Sequence, residues 1–395
     1  MASIGLVNAI KYNKWLYRIY NFTGSILVKI LKLFLRPNDK LILFTSFSGR
    51  RYDDSPRAIY ETMLADPKFD GYDFVWAFRE PEKFIIPKGR KVKVDTFSYY
   101  KSALKARVWM TNVGITRGLD FSGIHTFFMN SWHGTAIKHI GGDAQGKETF
   151  KSKKSKQPCV DIYLAQGNYD VDVFSSAFRV PRNKVALTGL PRNDELTQGN
   201  TVMIVQQLRE RIGIPKDKKV ILYAPTYREY EKDYGNNCIM KPPFDLDKWK
   251  KELGNDYVLL IRAHQEVVRV LDLQENNFVR NMSAYPALNE LMLISDMLIS
   301  DYSSIMFDFS ILGRPILCYT YDYDRYEKER GMYFDIRKEL PSKHDEDELI
   351  KLIKEGNLSK LSKNAVRFRD KYVTEYGSAS QKAVNIIYDA INEKN

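Results

Sequence analysis

The chain has 395 residues, enough for two domains of ordinary size, and its 44% hydrophobic and 28% charged residues are typical of a globular protein. The formal net charge of +12 favours an anionic partner: a phosphorylated substrate, a nucleic acid or an anionic lipid surface. The three cysteines, Cys159, Cys238 and Cys318, are too few for a disulfide framework or a cysteine metal cluster and indicate a reducing compartment.

The first 37 residues are basic and amphipathic. From Ser25 to Arg36, basic residues lie on one side of a predicted helix and large apolar residues on another, and aromatic residues alternate with Lys11, Lys14 and Arg18 before it. Such a segment is typical of helices that lie on an anionic membrane, and the alternative is a helix packed on its own domain. No secretory signal and no apolar run of roughly 18 residues is visible, so we expect no membrane-spanning helix.

From Lys40 onward, short apolar strands alternate with helices, which predicts two doubly wound parallel sheets. The predicted strands are 41–44, 74–78, 91–94, 108–111, 126–129, 162–165, 185–187, 220–224, 257–261, 297–299 and 316–319. The predicted helices are 56–64, 98–105, 202–211, 249–253, 288–294, 303–312, 345–354, 361–372 and 379–391.

The same order divides the chain into four parts. The amphipathic segment is 1–37, two Rossmann-like domains are 38–205 and 206–360, and 361–395 forms C-terminal helices that pack back across the domains. The lysine-rich stretch 143–158 has no periodicity, and we expect it to be a mobile basic loop.

Polar residues follow the predicted strands of the second domain. They are Pro225 to Arg228, Arg262 to His264, and Asp301 to Ser304. Carboxyl ends of parallel strands meet at one edge, so two guanidiniums, an imidazole and serine hydroxyls are expected there together. This composition suits a pyrophosphate, because arginine forks and helix N-termini bind phosphate oxygens. The alternative is an ordinary capped helix in an α/β domain.

The first domain contributes the segment Ser131 to Thr135 after a strand, with Lys138 close behind. His133 and His264 both stand where a strand meets a loop, and histidine is the usual general base near neutral pH. His125, His139 and His344 lack this context and are predicted to be structural.

Several other patterns do not carry a site. Gly141 to Glu148 resembles a P-loop, but Glu148 replaces the magnesium-binding hydroxyl and no strand precedes it. No dinucleotide-binding glycine turn and no metal-ligand spacing is present. Tyr321 to Asp324 is acidic and aromatic, and we interpret it as a surface loop.

These clusters, in this order, resemble the CDP-glycerol glycerophosphotransferase family of teichoic acid and capsule assembly, over roughly Lys40 to Tyr376. The matching motifs are Ser131 to Thr135 with Lys138, Gly189 to Asp194, Tyr223 to Arg228, Arg262 to His264, and Ile299 to Phe309. The resemblance implies a GT-B fold with an N-terminal acceptor domain (38–205), a C-terminal CDP-donor domain (206–360) and a peripheral contact with the cytoplasmic face of the membrane.

The resemblance also implies residue roles. His133 would be the general base on the acceptor hydroxyl, and His264 would act on the departing CMP. Arg228, Arg262, Ser303 and Ser304 would bind the donor phosphates. Supporting positions would be Trp132, Gly134, Thr135, Lys138, Arg192, Asp194, Thr226 and Asp301. No metal ligand is predicted and no cofactor is required; Mg²⁺ is not indicated by any motif.

The expected activity is transfer of a polyol phosphate, glycerol phosphate first, from a CDP-activated donor to a hydroxyl of a membrane-linked glycan or teichoic acid. One alternative is a GT-B glycosyltransferase that uses a nucleotide sugar, since fold alone does not decide chemistry. A more distant one is a basic membrane- or nucleic-acid-binding protein, although no nucleic-acid motif is present. Glycerol against ribitol, the acceptor, single addition against polymerisation, and the oligomeric state stay open.

Overall fold

The computed structural model describes residues 13–144, 159–228, 238–263, 267–270 and 273–392. Two parallel sheets organise the described chain, and the predicted doubly wound architecture is confirmed. Within the described residues no helix is long and apolar enough to cross a membrane.

The first sheet has seven parallel strands in the order β3-β2-β1-β4-β5-β6-β7. They are β1 (Asn38–Thr45), β2 (Asp73–Phe78), β3 (Arg90–Lys93), β4 (Ala106–Thr111), β5 (Phe127–Asn130), β6 (Ile162–Ala165) and β7 (Val185–Leu187). Its helices are α1 (Lys14–Phe34), α2 (Asp54–Ala65), α3 (Phe97–Lys105) and α4 (Asn168–Phe178), of which α4 was not predicted.

The second sheet has six parallel strands in the order β12-β10-β8-β13-β14-β15, beside a two-stranded pair of β9 and β11. The strands are β8 (Lys219–Tyr223), β9 (Cys238–Met240), β10 (Tyr257–Ile261), β11 (Val267–Val270), β12 (Val279–Asn281), β13 (Met297–Ser300), β14 (Ile316–Tyr319) and β15 (Ser342–Lys343). The helices up to this point are α5 (Asp194–Gln198), α6 (Val202–Ile212), α7 (Leu246–Leu253), α8 (Leu288–Ile294), α9 (Ile305–Ser310) and α10 (Tyr323–Arg330).

Three helices end the chain: α11 (Glu346–Glu355), α12 (Leu358–Tyr372) and α13 (Ala379–Asn392). The last helix returns to the first domain, where it packs on α2, β4 and β5 and its residues Ala383, Val384 and Ile387 are fully buried. The backbone N–H groups of Thr374 and Glu375 donate to the carbonyl of Gln166 on the way (2.8 and 3.0 Å). The chain therefore crosses between the two domains twice: once after β7, before the second sheet begins, and once after α12, when α13 returns to the first domain.

The described part of the N-terminal segment forms one continuous helix, α1, while residues 1–12 lie outside the described residues. The packing of α1 on its own domain is seen, and the predicted membrane contact stays a prediction. One face packs on the first domain, where Val28 is 2% exposed and the Asn21 amide donates to the carbonyl of Gly118. The opposite face exposes a row of large apolar side chains at helical spacing. They are Trp15, Ile19, Phe22, Ile26, Ile30 and Leu33.

Two other expectations change. Tyr321 to Asp324 is not a surface loop: α10 begins at Tyr323, which is buried, and Asp322 forms an ion pair with Arg228. Asp322 neutralises a buried cation, which periodicity does not reveal. Residues 145–158 of the predicted basic loop lie outside the described residues, and its first residue, Asp143, accepts a hydrogen bond from the Tyr333 hydroxyl at 2.8 Å.

Candidate functional site

The site starts at the turn after β5, which places His133 in the cleft between the sheets. The turn is held by Asn130, whose side-chain oxygen accepts the backbone N–H of Trp132 at 2.8 Å. Trp132 has a φ of +50° and Gly134 a φ of +136°, backbone regions that side-chain-bearing residues rarely occupy. Such outliers cluster at functional sites because surrounding contacts must maintain them.

The imidazole of His133 is oriented by a backbone carbonyl. Its Nδ1 lies 3.1 Å from the carbonyl oxygen of Asn112, which only accepts hydrogen bonds. Nδ1 therefore carries the proton in the neutral ring, and Nε2 keeps a lone pair. The rings of Trp132 (centroids 4.0 Å apart) and Phe47 (6.3 Å) pack against the imidazole and fix its plane.

The surroundings of His133 favour its neutral form. Burial lowers the pKa of His133 below its ordinary value near 6.5, and the nearby charges of Arg192 and Lys138 lower it further. The hydrogen bond to Asn112 and the carboxylate of Asp54 oppose this shift without reversing it. A neutral imidazole with a free Nε2 lone pair is the state that a general base requires.

Arg192 connects the His133 turn to both domains. Its Nη1 donates to the Asp54 carboxylate at 2.9 Å and to the carbonyl of His133 at 3.0 Å. Its Nη2 donates to the carboxylate of Asp308, on α9 of the second domain, at 2.7 Å. The predicted supporting residue Arg192 therefore lies directly behind the candidate base.

Ser303 and Ser304, at the start of α9, lie beside the same turn. A Cβ atom on Gly134 would come within 2.6 Å of the Ser304 hydroxyl, so the two loops touch where position 134 lacks a side chain. The Ser303 hydroxyl accepts the backbone N–H of Ile305 at 3.4 Å. Two motifs that are 170 residues apart in sequence thus face each other across the cleft.

Arg228 does not present free charge to the cleft. Its side chain is 3% exposed, and it donates to Asp322 (2.7 and 2.9 Å) and to the carbonyl of Thr226 (2.6 Å). It also forms an ion pair with Asp301 at 2.9 Å. Asp301 in turn accepts the backbone N–H groups of Thr226 and Tyr302 (2.8 and 2.6 Å). We therefore reassign Arg228 from phosphate binding to holding the turn at Asp301, because two carboxylates already compensate its charge.

The side-chain hydrogen bonds that Arg262 makes with the described residues come from Nη1 of its guanidinium. Its Nη1 donates to the carbonyls of Met282, Ser283 and Tyr285 at 2.5–2.7 Å, so it holds the loop after β12. Burial, and then the positive charge of Arg51 from the first domain, lower the pKa of Arg262 to about 10. Two guanidiniums that repel each other across a cleft would be stabilised by an anion between them.

The remaining predicted residues fall into two groups. Asp194 accepts the backbone N–H groups of Ala379 and Ser380 (2.9 and 2.7 Å), so it caps α13. The hydroxyl of Thr135 donates to Asp170 at 3.0 Å behind the His133 turn. The Lys138 ammonium lies 5.3 Å from the centre of the Tyr227 ring, across the cleft. His264 lies outside the described residues.

Sequence reasoning missed the loop between β1 and α2. It contributes Phe47 and Arg51 to the site and leads into Asp54, the first residue of α2; Phe47, Ser48 and Asp54 all have positive φ angles. The signal was present, since this polar loop follows a predicted parallel strand and lies at the same sheet edge as the other clusters. Asp308 was part of a recognised motif but was not singled out.

The described residues offer no cluster of side chains for a metal ion. Among the described residues, no group of three or more His, Cys, Asp or Glu side chains is placed to hold a metal ion. The prediction that no cofactor is required stays a prediction, and a loss of activity in a chelator would contradict it.

A family model described as CDP-Glycerol:Poly(glycerophosphate) glycerophosphotransferase matches residues 27–389. The chain belongs to this family. Glycerophosphotransferase relatives include the teichoic acid glycerol-phosphate transferase of Staphylococcus aureus, 33% identical over 89% of this chain and 94% of the relative. The teichoic acid poly(glycerol phosphate) polymerase of Staphylococcus epidermidis is 35% identical over 90% of this chain, which spans only 51% of that relative.

A solved member of the glycerophosphotransferase family has the same fold. The wall teichoic acid polymerase TagF is 31% identical with a TM-score of 0.81, and the match covers 98% of both chains. A histidine variant of TagF soaked with CDPG matches equally well (31%, TM-score 0.81, 98% of both chains). The predicted GT-B-like fold and the predicted family are both confirmed.

We predict that His133 titrates below 6.5, since burial disfavours the imidazolium. Because the folded state prefers the neutral ring, His133 costs stability as the pH falls below 6.5 towards its folded pKa. NMR titration of ¹⁵N-histidine-labelled protein, with His133 assigned by comparison with His133→Asn, measures this value. A His133 pKa at or above 6.5 would contradict the burial argument.

Proposed function

We propose that this chain transfers glycerol phosphate from CDP-glycerol to a hydroxyl of a membrane-linked teichoic acid or glycan acceptor and releases CMP. The observation that carries the proposal is the neutral, carbonyl-oriented imidazole of His133 at the interdomain cleft. Membership in the glycerophosphotransferase family supports the donor class.

The proposed reaction is an in-line phosphoryl transfer. The acceptor oxygen forms a bond to the β-phosphorus, the bond from that phosphorus to the bridging oxygen breaks, and CMP leaves with the bridging oxygen. Nε2 of His133 takes the proton of the acceptor hydroxyl. In such reactions, catalysis comes mainly from positioning and from neutralising charge on the phosphoryl oxygens.

Charge neutralisation is assigned to the groups that face the cleft. Burial is the main cause of the lowered pKa of Arg262, and the positive charge of Arg51 adds to it while Asp53 opposes it. A diphosphate bound beside Arg51 and Arg262 would offset both the burial and the repulsion. The hydroxyls of Ser303 and Ser304 are proposed to donate to the phosphate oxygens. His264 is retained from its motif as the residue that acts on the departing CMP. Arg192 and Arg228 are excluded because buried carboxylates already neutralise them.

We also propose that α1 lies on an anionic membrane at the cytoplasmic face. Its apolar row is exposed. Two basic side chains on another face tie the helix to the first domain: Lys29 pairs with Asp120 at 3.3 Å, and Lys32 donates to the carbonyls of Ser122 and Gly123. Apolar side chains in the interface and a basic surface against anionic lipid headgroups act together in such helices. A peripheral enzyme placed in this way would meet a lipid-linked acceptor directly.

Purified protein should release CMP from CDP-glycerol when a lipid-linked acceptor extract is present. His133→Ala should lower kcat by about 10²–10⁴-fold, the usual contribution of a general base, while the Kd for CDP-glycerol changes little. His125→Ala is the control, since His125 is exposed in the same domain. CMP release from CDP-ribitol, and not from CDP-glycerol, would identify ribitol phosphate as the transferred group. CMP release from neither donor would favour a nucleotide-sugar donor.

Arg51→Ala should weaken CDP-glycerol binding about tenfold or more, because a hydrogen bond to a charged group is lost. Calorimetric titration of the protein with CDP-glycerol measures the effect. Arg90→Ala is the matched control. Arg90 is the first residue of β3, so it lies at the amino ends of the strands, whereas Arg51 follows the carboxyl end of β1, and Arg90 pairs with Asp73 at the surface. Equal affinities for wild type and Arg51→Ala would remove Arg51 from the donor site.

Replacing Phe22 and Leu33 by serine should release the protein from vesicles that contain phosphatidylglycerol, since these side chains are 68% and 82% exposed on α1. Vesicle flotation measures the bound fraction. Ile85→Ser is the control, because Ile85 is 91% exposed away from α1. Unchanged flotation of the double variant would show that α1 is not the membrane contact.

A further inference from the structure

A buried ion triad joins the two domains directly behind His133. Arg192 lies between Asp54 of the first domain and Asp308 of the second, at 2.9 and 2.7 Å. The side chains are 14%, 5% and 4% exposed respectively, so all three charges are largely removed from water. We call Asp54, Arg192 and Asp308 the interdomain triad.

The triad contacts the backbone of the candidate base. Besides its two carboxylates, the Arg192 guanidinium donates to the carbonyl of His133 at 3.0 Å. A Cβ atom on the next residue, Gly134, would lie 3.0 Å from Nη2 of Arg192 and 2.6 Å from the Ser304 hydroxyl. The peptide after His133 is thus held between Arg192 and Ser304, and any shift of the guanidinium would displace the imidazole.

Asp308 also reaches the far end of the same turn through a second chain of hydrogen bonds. Its other oxygen accepts the Asn193 amide at 2.8 Å, and that amide also donates to Gln166 at 3.1 Å. The Gln166 amide then donates to the Thr135 hydroxyl at 2.8 Å. One carboxylate of the second domain therefore fixes the first domain's base turn at His133 and at Thr135.

Stability alone does not account for this arrangement. Taking three charges out of water is costly, and apolar residues of similar volume often stabilise an interface as well or better. Burial raises the pKa of Asp308, and the charge of Arg192 opposes that shift and helps to keep the carboxylate ionised. The triad instead fixes the orientation of the Arg192 guanidinium, because the planar group reaches its three oxygen partners in only one orientation.

We propose that Asp308 and Asp54, acting through Arg192, are positioning residues for His133, so that the base is aligned only when the two domains are docked. The inference rests on the proposed role of His133 as general base. Under this proposal, the second domain helps directly to orient His133 of the first domain. Docking of the two domains would then be coupled to proton transfer by His133.

Asp308→Asn tests the proposal, since it keeps the shape and removes the charge that holds Arg192. We expect kcat for CMP release from CDP-glycerol to fall about 10–100-fold, as small misplacements of catalytic groups do, with the Kd for CDP-glycerol changed less than about threefold. In ¹⁵N-histidine NMR at neutral pH, the single Nδ1-protonated form of His133 should give way to a tautomer mixture or a broadened signal. Asp54→Asn should act in the same direction, and it replaces Asp308→Asn if that variant does not fold.

Asp95→Asn is the matched control, because Asp95 pairs with Arg117 at 2.9 Å in the same domain without contact to the base turn. It should leave both readouts unchanged. A lower kcat in Asp308→Asn with unaltered His133 signals would overturn the positioning role, and so would altered signals with normal kcat. The NMR readout needs no substrate, so absence of CMP release by the wild type would refute the proposed function while the triad is still tested.

Discussion

The buried guanidinium of Arg192 is the interaction on which the arrangement of the site depends. It contacts a carboxylate from each domain and the carbonyl of His133, so the first domain's turn and the second domain's helix α9 share one anchor. Because an unpaired buried charge is strongly destabilising, the three groups must stay together for the folded state to persist. The distance between His133 and the serines just before α9, Ser303 and Ser304, is therefore set by an ion triad and not by apolar packing alone.

The cations of the cleft divide by whether protein carboxylates already neutralise them. Arg192 and Arg228 are each paired with two aspartates, which makes them parts of the scaffold. Arg262 is instead held by backbone carbonyls. Burial and then the positive charge of Arg51 lower its pKa, and the carboxylate of Asp53 opposes this shift. An anionic diphosphate is the natural complement of such a pair, while the neutral His133 beside it supplies a base without adding charge.

Much of the fold followed from periodicity. Strands 162–165, 185–187, 257–261 and 316–319 agree with the structure residue for residue, because buried parallel strands are short apolar runs bounded by polar residues. Helix α4 was missed, since Asn168–Phe178 mixes polar and aromatic residues without a clear repeat. The interpretation of Tyr321 to Asp324 as a surface loop was wrong, because a motif shows that an arginine is present but not which carboxylates, here Asp322, surround it.

By itself, the sequence determined the parallel α/β class and the family, and it singled out His133 as the candidate base, since these depend on local patterns and on the order of motifs. Only the tertiary structure decided which charges are neutralised within the protein. Asp54, Arg192 and Asp308 come from three distant segments, and they form ion pairs only when the chain folds. The same holds for the tautomer of His133, which a carbonyl 21 residues earlier selects. The physical reason is that burial and electrostatic pairing depend on distances through space, which sequence spacing does not fix.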